Sequence, residues 1–339
     1  MVSVAIFNNK GGVGKTSLLC NLASYLSFEQ NKKVIIIDAD PQCNATSYIF
    51  SEPELEEIYT STSKANKETI LNIIKPLQKG KGYITTGLPI KQSINFGVDV
   101  IVGDPELSLI EDFLSKDWFD VRAGESRGLQ TTLLFKDLLQ KLSLSYDFVF
   151  FDMGPSLGSL NRSVLIASDT FIVPMSSDIF SLQALENISL SIKKWKEEIN
   201  KGLIEYEKKE DEKFELNGNV VNCDINFAGY VTQQYTAKTV RGIKQPVNAY
   251  ERIIRKIPNQ VKKFLLPLNG DKSLISEKIG EIQNLSSLIP LSQDSHTPIF
   301  RLKKEHGVVG SHFNKVKDFK ITLQNISEKF LENLNQLGV

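Results

Sequence analysis

The chain has 339 residues, 41% of them hydrophobic and 24% charged, with forty basic residues balanced against forty acidic ones. That length supports a large core, and no run approaches the roughly 18 apolar residues a transmembrane helix needs. Zero net charge excludes a global pull toward nucleic acid, and three widely spaced cysteines, Cys20, Cys43 and Cys223, exclude a disulfide framework and fit reduced thiols.

Val2 to Phe7 reads as a buried strand, and residues 8–16, Asn-Asn-Lys-Gly-Gly-Val-Gly-Lys-Thr, lead into a helix with apolar positions at Leu18, Leu19, Leu22 and Leu26. A strand, a glycine-rich turn and a helix start aim several backbone N–H groups at one point, which suits a phosphate. Gly11, Gly12 and Gly14 let the backbone wrap closely around Val13, Lys15 can reach the β and γ phosphates, and Thr16, followed by Ser17, offers a hydroxyl to Mg²⁺. With no basic segment and apolar signal core ahead of this motif, a cytoplasmic location is expected.

A common P-loop has glycine at position 9, where this chain has Asn9 followed by a second lysine, Lys10. The motif resembles the deviant Walker A of the ParA/MinD ATPase family. That resemblance implies an ATP- and Mg²⁺-dependent ATPase on a doubly wound, mostly parallel α/β sheet with helices on both faces. It also implies a homodimer with ATP sandwiched at the interface, in which Lys10 acts in trans on the partner's nucleotide and Lys15 in cis. Val34 to Ile37 is a second buried strand that ends in Asp38-Ala39-Asp40-Pro41-Gln42, and Asn44, Ala45 and Thr46 extend the likeness to the family's Walker A′ segment. By that likeness Asp40 orients the attacking water and Asp38 lies nearer the metal.

Residues 51–97 are acidic, then rich in Ser, Thr and Lys, with a helix expected at Lys67 to Leu77. A strand at Val98 to Val102 precedes Gly103-Asp104-Pro105, a helix start with Leu107, Leu109, Ile110 and Leu114 on its apolar face, and a second helix covers Leu129 to Leu142. Trp118 and Phe119 between them are assigned to the core. Tyr146 to Asp152 is a further buried strand ending in a carboxylate, followed by Gly154-Pro155-Ser156-Leu157-Gly158. It resembles a Walker B, with Asp152 holding a Mg²⁺-bound water opposite Thr16 and Gly154 standing where the family commonly has proline.

A helix (Leu160 to Ala167), a strand (Thr170 to Val173, closed by Pro174) and a helix from Leu182 to Ile199 come next. The mixed charge run that follows makes 197–222 either a helix extension or a charged, partly disordered insertion within a single domain spanning 1–339. Phe227 to Val231 is another core strand. Between Thr236 and Leu266 lie eight basic residues, Lys238, Arg241, Lys244, Arg252, Arg255, Lys256, Lys262 and Lys263, against Glu251 alone. Such a stripe neutralises DNA phosphates without reading sequence, or is simply a solvated face. Arg301, Lys303 and Lys304 join it if the fold brings them close.

Ser287 to Leu291, including Pro290, resembles the family's late strand and loop over the adenine. The last helix, Ile321 to Leu337, carries Glu328 and Glu332 on its polar face and is expected to pack on the sheet rather than on a membrane. The resemblance thus points to a ParA-type switch in plasmid or chromosome partition, slow alone and stimulated by a ParB-like DNA-binding partner. A MinD-like or cargo-positioning ATPase and an ATP-gated regulatory or defence component are the alternatives.

Overall fold

A computed structural model describes residues 1–60, 68–85, 87–233, 239–240, 243–244, 252–285 and 287–339, with the backbone alone at 239–240 and 243–244. The first half runs β1 (Val2–Ile6), α1 (Lys15–Gln30), β2 (Val34–Asp38), α2 (Asn44–Ile49), α3 (Glu52–Thr60), α4 (Leu71–Gln78), β3 (Ile90–Ser93), β4 (Val98–Ile101), α5 (Ile110–Val121), α6 (Ser126–Thr132), α7 (Leu134–Leu142) and β5 (Phe148–Asp152). It continues through α8 (Ser159–Ala167), β6 (Thr170–Ser176), α9 (Ile179–Glu210), β7 (Glu215–Leu216), β8 (Asn219–Val220), β9 (Asn226–Gln233), β10 (Thr239–Val240) and β11 (Ile243–Lys244). The last elements are α10 (Ile257–Phe264), β12 (Lys278–Ile282), α11 (Ile289–Asp294) and α12 (His312–Leu337).

The main sheet has eight strands in the order β12-β9-β6-β1-β5-β2-β4-β3. All neighbours are parallel except β3, which pairs antiparallel with β4 at one edge. A strand covered on both faces needs apolar side chains on both, which is why β1, β2 and β5 are near-continuous apolar runs. Ala5, Ile35, Val149 and Phe151 face one layer with α4 to α10, while Val4, Ile36 and Phe150 face the other with α1, α2 and α12. The expected doubly wound architecture is therefore the observed one.

Several local expectations are corrected. The single helix expected at 129–142 is two helices, α6 and α7, broken at Leu133. Trp118 is buried, but Phe119, the next residue on α5, points outward and is 75% exposed, because neighbours on a helix are turned about 100° apart. The β6 strand continues past Pro174 to Ser176, and the charged run after Ile199 continues α9 to Glu210 before the β7–β8 hairpin. Gly202 makes that long helix possible where it crosses α5, since a Cβ there would lie 2.1 Å from the Val121 carbonyl oxygen. The α12 helix buries Phe319, Leu323, Ile326, Phe330 and Leu334 against the sheet layer, and Ile321 is left exposed. No helix among the described residues is long and apolar enough to cross a membrane.

Candidate active site

The carboxyl ends of three adjacent strands build the site. Because β5 lies between β1 and β2, Ile6 pairs with Asp152 and Asp152 with Asp38, so the glycine loop and two motif carboxylates meet at one edge. The loop is anchored at its start by Asn8, fully buried, whose Nδ2 donates to the Pro174 carbonyl at 2.8 Å and whose Oδ1 accepts from the Lys10 N–H at 3.0 Å. Gly12 and Gly14 then take φ of 72° and 74°, left-handed values at which a side chain costs about 1 kcal/mol or more. Val13 is buried beneath the turn, Gly11 and Gly12 are exposed on top, and α1 begins at Lys15.

Lys15 bends back to donate to the Lys10 carbonyl at 3.2 Å, closing the loop on itself. Its burial lowers its pKa, while Asp152 and Asp40 pull in the opposite direction. Thr16 Oγ1 donates to Asp152 Oδ2 at 2.8 Å. The other oxygen, Asp152 Oδ1, is buried without a hydrogen-bond partner. An orphaned carboxylate oxygen beside a hydroxyl is a costly arrangement unless something cationic or a bound water completes it. These residues fit Mg²⁺ held through a hydroxyl, phosphate oxygens and waters, whereas among the described residues no cluster of three or more His, Cys, Asp or Glu side chains is placed to hold a metal unaided.

Asp38 and Asp152 are both fully buried. Burial pushes the Asp38 carboxyl up to about 6, against the hydrogen bonds it accepts, and raises Asp152 well above the usual carboxylate range, with the Asp38 charge adding to the effect. Asp38 already uses both oxygens on protein donors: Oδ2 accepts from the Thr46 N–H and hydroxyl at 2.8 and 2.7 Å, and Oδ1 from the Asp40 N–H at 3.2 Å. Asp38 lies beside Asp152 in the sheet register, where it was expected near the metal, but its oxygens already accept from these protein donors. It clamps the start of α2, and Asp152 carries the open oxygen.

Asp40 is 5% exposed, accepts from the Gln42 N–H at 3.0 Å and is steadied by Asn44 at 3.4 Å. At Gly154 a Cβ would stand 3.2 Å from Asp40 Oδ1, a tight contact that a small shift of the carboxylate would relieve.

Lys10 is not in its own cradle. Its Nζ donates to Ser176 Oγ at 3.1 Å and forms an ion pair with Asp178, the two side chains 29% and 32% exposed. Asp178 also caps α9, accepting from the Phe180 and Ser181 N–H groups at 2.9 and 3.2 Å. Sequence reasoning missed Asp178 by starting this helix at Leu182. The available signal was Asp178 three residues before Ser181 at the end of an apolar strand, an N-cap pattern without any link to Lys10, which lies 168 positions away.

Beside the loop is a cavity of about 290 Å³, lined by Gly12, Ser17, Gln233, Gln283, Leu285 and Ile289 among others. The segment expected as a strand and loop over the adenine, 287–291, is a turn that leads into α11; Ile289 lines the cavity and Pro290 is exposed. Two strands border the cavity, β9 through Gln233 and β12 through Ile282. Of the basic stripe, Arg252, Arg255, Lys256, Lys262 and Lys263 are exposed on and before α10. Lys262 lies 3.8 Å from Glu277. Lys238 and Arg241, and the side chain of Lys244, fall outside the described residues. Arg301 stacks on Phe28 of α1 at 3.7 Å, on the opposite layer from α10, and so does not join that stripe.

Fold and site together define a P-loop nucleoside-triphosphatase fold with a deviant, two-lysine glycine loop. Residues 1–204 match the family model described as an AAA domain, AAA_31, and the chain belongs to this ParA/MinD-like family. It is 27% identical over 201 residues to the sporulation initiation inhibitor protein Soj of Bacillus subtilis, covering 59% of this chain and 68% of that protein. It is also 27% identical to the chromosome partitioning protein ParA of Myxococcus xanthus, covering 59% and 61%. The matched stretch thus spans about two thirds of these relatives' length. Among solved structures, a protein from Corynebacterium diphtheriae superposes with a TM-score of 0.70 at 27% identity, over 87% of this chain and 97% of that one. A putative plasmid partition protein of Borrelia burgdorferi bound to AMPPNP shares the fold, with a TM-score of 0.58 at 21% identity over 97% and 98%.

Proposed function

We propose that the chain is an ATP-dependent dimerising ATPase of the partition type, acting through nonspecific DNA and stimulated by a DNA-binding partner of the ParB kind. The observation that carries this reading is the division of labour between the two lysines. Lys15 is buried against Asp152 and Asp40, while Lys10 is turned out of the cradle toward a surface where Ile179 and Phe180 stand 57% and 65% exposed. A cation on an apolar rim next to a nucleotide site supports a role toward a second copy of the chain rather than toward its own site.

In this reading the backbone from Lys10 to Ser17 wraps the phosphates, Thr16 and Asp152 hold the Mg²⁺ sphere, and Asp40 orients the attacking water. Bound Mg²⁺ supplies charge neutralisation at the transferring phosphoryl group. Because Lys10 reaches a nucleotide only across a dimer, turnover by the lone chain is slow and closure completes the site. The exposed Arg252, Arg255, Lys256, Lys262 and Lys263 are the candidate phosphate contacts for DNA. A membrane-acting variant gains no support from α12, whose apolar face is already spent on the sheet.

The test is binding to a nonspecific duplex with ATP, with ADP and without nucleotide, at two salt concentrations. ATP-dependent binding that weakens steeply with salt is expected. Equal binding in all three nucleotide states, or none in any, would remove DNA from the function.

A further inference from the structure

Three elements that each touch the candidate site are joined behind it by a buried polar chain. Asn21 on α1, fully buried, donates through Nδ2 to the Ser17 carbonyl at 2.9 Å and to the Tyr48 hydroxyl at 3.2 Å, and its Oδ1 accepts from the Ile299 N–H at 2.8 Å. The Tyr48 hydroxyl on α2 meets Ser292 Oγ of α11 at 2.6 Å, and Ser292 donates onward to the Thr297 carbonyl at 2.5 Å. With Asn21 as donor to Tyr48 and Ser292 committed to Thr297, Tyr48 donates to Ser292, and the chain runs in one direction with every member satisfied. Such fully satisfied chains polarise one another and rigidify what they join.

The ends of the chain matter for the chemistry. Ser17, Ile289 and Ile299 line the cavity beside the glycine loop, so α1 and α11 form its walls. At the other end, α2 opens with Asn44, which bonds Asp40 at 3.4 Å, and continues with Thr46, which holds Asp38. Tyr48 is 4% exposed and packs its ring edge-on against Phe96 at 5.4 Å. A tyrosine is not needed there for packing alone, since a phenylalanine would fill the same space.

We infer that the base of a nucleotide held by the glycine loop occupies the adjoining cavity and that the Tyr48 hydroxyl couples this occupation to the placement of Asp40, making Tyr48 a positioning residue through which the size of the base is read in turnover. This rests on the ATPase reading above. A purine long enough to press on Ile289 sets α11, the Ser292–Tyr48 bond carries that setting to α2, and Asn44 passes it to Asp40. A pyrimidine leaves α11 unset.

The experiment measures kcat and nucleotide Kd for ATP and CTP with the wild-type chain, Tyr48→Phe and Ser292→Ala, together with their thermal unfolding. The wild type is expected to turn over ATP about tenfold faster than CTP, and Tyr48→Phe to lower the ATP kcat by about tenfold while leaving the CTP kcat and both Kd values within about twofold. Ser292→Ala, which keeps the tyrosine, should give the same pattern. Equal losses with both nucleotides, a loss confined to Kd, or a wild type with equal kcat on ATP and CTP would each overturn the coupling. A wild type that hydrolyses neither nucleotide overturns the ATPase reading and this inference together, and is recognised before any variant is made.

Discussion

Asp178→Asn is the most informative single substitution, because it separates two jobs of one side chain. Asparagine caps a helix about as well as aspartate, so the bonds to the Phe180 and Ser181 N–H groups, at 2.9 and 3.2 Å, have a replacement acceptor. What is lost is the charge that holds Lys10. The two side chains are 29% and 32% exposed, so the pair is screened and contributes roughly 0.5–1 kcal/mol rather than the value of a buried ion pair. If each subunit must release its lysine before the two can close, the variant saves this twice, about 1–2 kcal/mol, and ATP-dependent dimerisation should tighten by about 5- to 30-fold. Sedimentation velocity across a concentration series, with ATP and with ADP, reads this directly. The nucleotide-free variant should remain as monomeric as the wild type, and thermal stability should change little. An ATP dimer no tighter than that of the wild type would refute the idea that the cis pair opposes the trans role of Lys10.

Three further outcomes follow from the geometry. Asp40→Ala should keep ATP-dependent dimerisation and lose turnover by about 100-fold or more, the scale of removing a group that positions a proton acceptor; normal phosphate release in that variant would take Asp40 out of the mechanism. Gly202→Ala places a Cβ against the Val121 carbonyl, at 2.1 Å in the present packing, and should lower stability by about 1–3 kcal/mol in denaturant unfolding without altering nucleotide affinity. A wild-type midpoint would mean that α9 and α5 do not cross this closely. Finally, burial pushes the folded Asp38 carboxyl up to about 6, above the roughly 4 of an unfolded carboxylate. Between those values the folded chain holds a proton that the unfolded chain has lost, so this contribution to stability is present at low pH and is lost as pH rises through 6. The nucleotide-free protein should therefore melt lower at pH 7 than Asp38→Asn does relative to their difference at pH 4.5, and a pH-independent difference between the two would contradict the assignment.

The parts of the site that were legible in the sequence are those where chemistry and local geometry coincide. Buried parallel strands are runs of Val, Ile and Phe, and the residues that end them, Asp38 and Asp152, are polar because the strand end is where the sheet opens to a ligand. Gly12 and Gly14 announce a left-handed turn for the same local reason. The edge of the sheet was not legible. The β12 strand reads Lys-Ile-Gly-Glu-Ile and is only half buried, so it lacks the apolar run of a central strand. Gly280 is there because a Cβ would meet Ile326 of α12 at 2.2 Å, a contact visible only in three dimensions. In contrast, Ser-Leu-Ile-Pro-Leu at 287–291 has a strand-like run but opens a helix, with Pro290 in the first turn where its missing N–H costs nothing. Asp178 and Tyr48 escaped notice for a different reason. Their partners lie 168 and 244 positions away, and no local pattern records such pairings.

In the proposed dimer Lys10 serves the partner's nucleotide and not its own. This role is tested most directly by measuring, on the same samples, ATP affinity and ATP-dependent mass for the wild type and Lys10→Ala. The wild type should double in mass with ATP, and the variant should bind ATP within a few-fold of the wild type yet stay monomeric. A variant that still dimerises with ATP, or one that loses ATP binding altogether, would contradict this role.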